Sequence, residues 1–121
     1  MKRDMNLVRE ILLWATAQEN AGIYTNPVLP EYTEDQISHH VHLMSQAGLV
    51  DAVDITTNSS AGPSALLMSV PWAGHDFIDA ARDNTVWNKA KSKVLSSGAS
   101  FTFDLLKEVL VLAAKGPLGL P

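Results

Sequence analysis

Apolar residues recur at helical spacing in the opening segment. Met5, Val8, Ile11, Leu12 and Ala15 fall on one face, and Leu7, Leu13 and Trp14 widen it. The pattern predicts a helix from about Arg3 to Glu19, buried on more than one side. Asp4 stands at its N-cap or in its first turn, and Asn20-Ala21-Gly22 would close it in C-cap fashion. IYTNPVLPEY (23–32) then holds two prolines and no helical period, so it reads as a connector with room for a short strand at Ile23–Thr25.

Thr33 opens a second predicted helix, with Glu34, Asp35 and Gln36 in its first turn and Gln36 at the capping-box position. It runs to about Ala47, with Gly48 as a left-handed cap. Val53 and Ile55 alternate with polar residues into the turn-forming run TTNSSAGPS (56–64), and ALLMSV (65–70) returns. That is a hairpin, residues 52–57 pairing antiparallel with 65–70. Pro71 starts a helix through Trp72, Phe77, Ile78 and Ala81. Thr85 caps another, in which Val86, Trp87, Ala90 and Val94 line one side before Gly98 breaks it. Thr102 caps a last helix with Asp104 in its first turn and Lys115-Gly116-Pro117 as its stop. The expectation is one α+β, mainly helical domain over 1–121: a helix-and-hairpin core at about 3–82, and a C-terminal helical extension at about 85–116.

Composition narrows the function. A chain of 121 residues and 13.1 kDa can bury one real core. Without cysteine it has no disulfide frame, thiolate metal site or thiol nucleophile. No apolar run approaches a membrane span and no signal peptide is evident, so the default expectation is cytoplasmic. Within the net charge of −4 lies an asymmetry: no Lys or Arg occurs between Arg9 and Arg82. The same interval carries Glu10, Glu19, Glu31, Glu34, Asp35, Asp51, Asp54, Asp76 and Asp79. Phosphate binding needs cations, so this pattern weighs against nucleic acid there.

The second helix holds most of the candidate chemistry. Ile37, Val41 and Met44 form its core stripe, while Asp35, Ser38, His39, His42 and Gln46 are assigned to an exposed face. His40 lies on the flank, where a partly buried imidazole would bond a neighbouring group. Asp35, His39 and His42 follow i, i+4, i+7 spacing, which could gather one carboxylate and two imidazoles on an ion. The sequence shows none of the supporting ligands such a site needs, so a solvated face is the preferred reading and no cofactor is expected. Arg82, Lys89, Lys91 and Lys93 form the only dense basic group, read as a solvated helix face with nucleic acid or an acidic partner as the functional option. His75 and Asp76 are adjacent on a helix, about 100° apart, and so cannot act as a pair. No nucleotide loop, nucleophile elbow or paired-carboxylate motif appears. In the last helix Leu105, Leu106, Val109, Leu110 and Leu112 form a wide apolar band, which either closes on its own chain or pairs with a second copy.

The order helix, connector, helix ending in Ala-Gly-Leu-Val, hairpin, helix is that of a winged helix. SHHVHLMSQAGLV (38–50) resembles the recognition-helix phrase of ArsR-type winged-helix repressors, whose metal-sensing cysteines are missing here. MKRDMNLVREILL, HVHLMSQAGLV, WAGHDFIDAARDNTVWNKAK and FTFDLLKEVL together resemble an uncharacterised domain-of-unknown-function family of small bacterial and phage proteins. That resemblance implies a winged-helix-like fold and carries no established activity. The turn Asn58-Ser59-Ser60-Ala61-Gly62-Pro63 lacks the cations of a working DNA-binding wing. The expected function is a non-enzymatic module acting by protein–protein contact or self-association, with a DNA-binding regulator as the alternative.

Overall fold

Asp4 sets the start of the first helix, α1 (Met5–Thr16). Its backbone is extended and its carboxylate accepts the N–H groups of Asn6 and Leu7. The structure, a computed structural model, describes residues 1–96 and 102–115. α1 stops at Thr16 rather than near Glu19, because side chains take up its last acceptors. Thr16 Oγ1 donates to the Leu12 carbonyl at 2.8 Å, and Gln18 Nε2 donates to the Trp14 carbonyl at 2.9 Å.

α2 (Glu34–Gln46) carries the full capping box: the Gln36 N–H donates to Thr33 Oγ1 at 3.1 Å and the Thr33 N–H to Gln36 Oε1 at 2.8 Å. Gly48 leaves the helix at φ +75°, as a left-handed exit requires. Two antiparallel strands follow, β1 (Asp51–Asp54) and β2 (Ala65–Ser69), with Val53 opposite Leu66, Asp54 opposite Ala65 and an irregularity between Asp51 and Ala52. The ladder is shorter than 52–57 with 65–70. Past Asp54 the turn is held by Ser and Thr groups instead, with Ile55 N–H donating to the Ser64 carbonyl at 3.0 Å and Ser64 N–H to Thr56 Oγ1 at 2.9 Å. α3 (Trp72–Ala81), α4 (Asn84–Ser96) and α5 (Phe103–Lys115) complete the order. The Pro71 carbonyl accepts from His75 N–H, so Pro71 precedes α3 instead of forming its first turn.

No strand forms at 23–25 among the described residues, since Tyr24 turns the backbone to φ 57°. The connector pairs with β2 by other means. Ile23 N–H donates to the Met68 carbonyl at 2.8 Å, Asn26 Nδ2 donates to the Ala65 carbonyl at 3.0 Å, and Asn26 Oδ1 accepts from Leu67 N–H at 2.9 Å. One side-chain amide thus does the work of a strand's peptide group and covers the outer edge of β2.

The chain divides into two compact units, Met1–Asp76 and Phe77–Pro121. In the first, α2 packs against α1 and both strands. The core there comprises Leu7, Val8, Ile11 and Leu12 of α1, Ile37, Val41 and Met44 of α2, and Ala65 and Leu67 of β2, all buried. The alternating apolar residues there point the other way: Val53 of β1 and Ile55 just beyond it are exposed. In the second unit, Phe77 meets Trp87 edge-on at 6.4 Å and Phe103 at 5.1 Å between ring centroids. The cap of α4 is Asp83, whose carboxylate accepts from Val86 N–H at 3.0 Å, and not Thr85. Thr102 caps α5 as expected, accepting from Leu105 N–H. α5 packs on α4, which divides the apolar band between buried and exposed positions. Leu106 and Leu110 are fully buried, Leu105 and Val109 are half-buried, and Leu112 is 57% exposed. The Gly98 break, Phe101 and the Gly116-Pro117 stop lie outside the described residues.

Candidate functional site

The capping box fixes where α2 begins, and its packing on the hairpin decides which of its polar residues remain free. Asp35 and Gln46 are exposed. Ser38 is half-buried and its hydroxyl lies 3.4 Å from the Ala65 carbonyl, while His39 Nδ1 meets the Pro63 carbonyl at 3.0 Å. The His39 and His42 rings stack at 6.4 Å between centroids. Part of the expected recognition face is therefore spent on holding the hairpin. Across from it, hydrogen bonds from the Thr56 hydroxyl and N–H hold the Asp54 carboxyl below its usual range, and His42 adds to the effect. Among the described residues no three His, Asp or Glu side chains converge in metal-ligand geometry.

His40 is the buried, bonded imidazole expected on the flank of α2, with a partner that no local pattern reveals. It is 1% exposed, and its Nε2 accepts the backbone N–H of Asp4 at 2.8 Å. Since that nitrogen is an acceptor, the proton sits on Nδ1, which faces the Gln36 carbonyl at 2.8 Å. The residue that caps α1 is thus tied through its own N–H to α2. Nearby, burial pushes the Tyr32 phenol up, with Asp4, Glu31 and Glu10 adding to it.

The His40 contact has a pH consequence. Burial pushes the imidazole below its ordinary value of 6.5, with His39 acting in the same sense, while the Gln36 carbonyl and the Asp4 carboxylate oppose it. The unfolded chain therefore binds the proton more readily than the folded one. Stability from this group is fully present above the ordinary value and is lost as pH falls through the lowered one, by about 1.4 kcal/mol for each unit of lowering. Urea midpoints measured between pH 7 and 4.5 are expected to fall more steeply for the parent than for His40→Gln. Parallel slopes would dismiss the link.

The first unit also holds an open cleft of about 460 Å³ between the connector, the first turn of α2 and the hairpin. Val28, Ile55 and Leu66 give it apolar walls, Thr25, Ser60 and Ser64 supply hydroxyls, and Glu34 and Asp35 stand at its acidic side. No local pattern marks Val28 or Ile55 as a cleft wall, because one lies in an aperiodic connector and the other alternates like an ordinary strand residue. The signal available was compositional: apolar residues flanking turn-formers in a stretch without cations.

The basic group does not form one patch. Arg82 sits 3.6 Å from Asp79. The Lys91 amine lies over the Trp87 ring at 5.7 Å from its centroid, whereas Lys89 and Lys93, one turn apart, are exposed on another side of α4. At the N-terminal end Arg9 is buried, 4.0 Å from Glu10. His75 and Asp76 are exposed on α3.

A capped helix laid on a two-stranded hairpin, with polar and acidic chemistry outward, defines a small α+β domain, mainly helical. The chain belongs to the family described as "Hypothetical protein (DUF2513)", whose model matches residues 2–100. An uncharacterized protein of Haemophilus influenzae is 32% identical over 113 residues, spanning 90% of this chain and 92% of that protein. No solved structure matches. Among the described residues no helix is long and apolar enough to cross a membrane.

Proposed function

We propose that this chain is a non-enzymatic, winged-helix-like module that works by contact with protein, a second copy included. The observation that carries the reading is the sign of charge around α2 and the hairpin. Glu34, Asp35, Asp51 and Asp54 are all exposed there, and residues 10–81 contain no Lys or Arg. DNA affinity rests largely on neutralised phosphates, and this surface offers carboxylates in their place. Burial of Arg9 removes a further cation from that side of the balance.

The order of α2 and the hairpin supports the winged-helix reading, and with it comes the alternative of a DNA-binding regulator, for which Gln46 and His42 would be the base contacts. Titration of a labelled mixed-sequence duplex separates the two. At about 150 mM salt no saturation is expected below about 10 µM protein, and lowering the salt should strengthen binding only shallowly. Nanomolar, sequence-selective binding lost in Gln46→Ala or His42→Ala would establish the regulator instead.

A further inference from the structure

We propose that the cleft between connector, α2 and hairpin is a docking groove for an extended cationic peptide segment of a partner protein. Its apolar side chains would lie on Val28, Ile55 and Leu66, and its Lys or Arg would reach Glu34 and Asp35. The proposal rests on the protein-contact reading and names the partner's chemistry.

The N-terminus of a helix ordinarily attracts anions through free N–H groups and the macrodipole. Here the capping box takes up the Thr33 and Gln36 N–H groups, and the next two side chains are carboxylates, both exposed. The two carboxylates set a negative charge against the positive pole of the helix end, which favours a cationic group over an anionic one there. Residues 25–66, which supply every wall of the cleft, include no Lys or Arg to offset those carboxylates. A phosphate-bearing ligand is disfavoured for the same reason.

The apolar argument is independent of charge. Val28 is 88% exposed and Ile55 42% exposed, and both face the cleft with Leu66 between polar neighbours. Such side chains gain by being covered, at roughly 25 cal/mol for each Å² removed from water. The walls are a connector and a hairpin turn, with the hydroxyls of Thr25, Ser60 and Ser64 set among the apolar groups. Ser64 and Thr25 already donate to the Gly62 and Asn26 carbonyls, and Ser60 accepts from Thr57 N–H. Each hydroxyl keeps a lone pair for the N–H groups of an extended backbone, whereas a helix has already satisfied its own. Together the features select a segment that alternates apolar and basic residues.

Fluorescence anisotropy with a labelled nonapeptide of alternating leucine and lysine tests this on the full-length chain. Saturable binding is expected, and both a glutamate–leucine and a lysine–serine peptide should bind at least about tenfold more weakly. The Glu34→Gln/Asp35→Asn double variant should lose about tenfold or more, and Val28→Ser about threefold, while Asp51→Asn, outside the cleft, stays at the parent value. Circular dichroism confirms that each variant is folded, which is expected at these exposed positions. The groove proposal is overturned by absence of saturation up to about 1 mM, by equal binding of the lysine–serine peptide, or by loss in Asp51→Asn matching that of the double variant. Those outcomes leave the protein-contact reading standing, since that reading falls only to tight duplex binding.

Discussion

Leu110→Glu is expected to unfold the C-terminal unit rather than to release a folded monomer. Leu110 is fully buried, and so is Leu106 one turn earlier on α5. α5 packs on α4, whose Trp87, Ala90 and Val94 are also buried, and Phe103 at the start of α5 meets Phe77 with their rings tilted. Removing the leucine forfeits about 1.5–3 kcal/mol of burial. A lone carboxylate in its place adds a desolvation cost of at least comparable size, or a proton taken up to avoid it. The sum, about 3–6 kcal/mol, is a large part of the roughly 5–15 kcal/mol that holds an ordinary domain together. A circular-dichroism melt should show helix loss at a much lower temperature, and a parent-like melt would refute the buried placement. Leu112→Glu is the companion variant. At 57% exposure it should stay within about 0.5 kcal/mol of the parent, so a change in its mass by light scattering reads self-association without disturbing the fold.

Features encoded within a few residues were legible in the sequence. Asp4, the Thr33–Gln36 box, the Gly48 exit and the Thr102 cap each bring donor and acceptor together inside one turn, so the local text contains both partners. Where two candidates competed, the text could not choose. Asp83 and Thr85 are both capable caps, and Thr16 with Gln18 ended α1 before Gly22 could. The edge of β2 was out of reach altogether. Asn26 bonds to Ala65 and Leu67, separations of 39 and 41 residues, and an Asn-Pro pair signals only a turn.

The candidate site divides along the same line. A helical wheel places Ser38, His39 and His42 away from the core stripe, and it is silent on what lies beyond the helix. The hairpin supplies that answer by offering the Ala65 and Pro63 carbonyls to two of those residues. His40 was placed on the flank, but its partner Asp4 lies 36 residues earlier, and no periodicity reports that approach. Lys89, Lys91 and Lys93 read as one basic group because they are close in sequence. Alternate positions on a helix point about 160–200° apart, which is why Lys91 lies by Trp87 while the other two do not. By contrast, the empty stretch of cations between Arg9 and Arg82 needs no geometry to be read, and it carries the functional argument.

Gly74→Ala is expected to destabilise the chain, against the sign that helix propensity alone would give. In an unobstructed helix interior the change would contribute about 0.8–1 kcal/mol of stability. Gly74 is buried, and a Cβ there would collide with the Leu49 carbonyl oxygen and stand 2.7 Å from Val70 Cγ1. The valine could rotate. The carbonyl cannot easily move, because the Leu49 N–H is bonded to the Met44 carbonyl at 2.9 Å and the Leu49 and Val50 side chains are both buried. Relief therefore requires shifting either the start of α3 or the turn that leads α2 into β1, at a cost of about 1–3 kcal/mol or more. The net expectation is a loss of about 1–2 kcal/mol, read as a lower urea midpoint at unchanged slope. Two other glycines calibrate the result. Gly62→Ala meets nothing within 4 Å and should be near neutral, while Gly48→Ala meets nothing either but must hold φ +75°, so it should cost about 1–2 kcal/mol through the backbone alone. A Gly74→Ala variant more stable than the parent would mean that α3 does not rest on the Leu49 carbonyl.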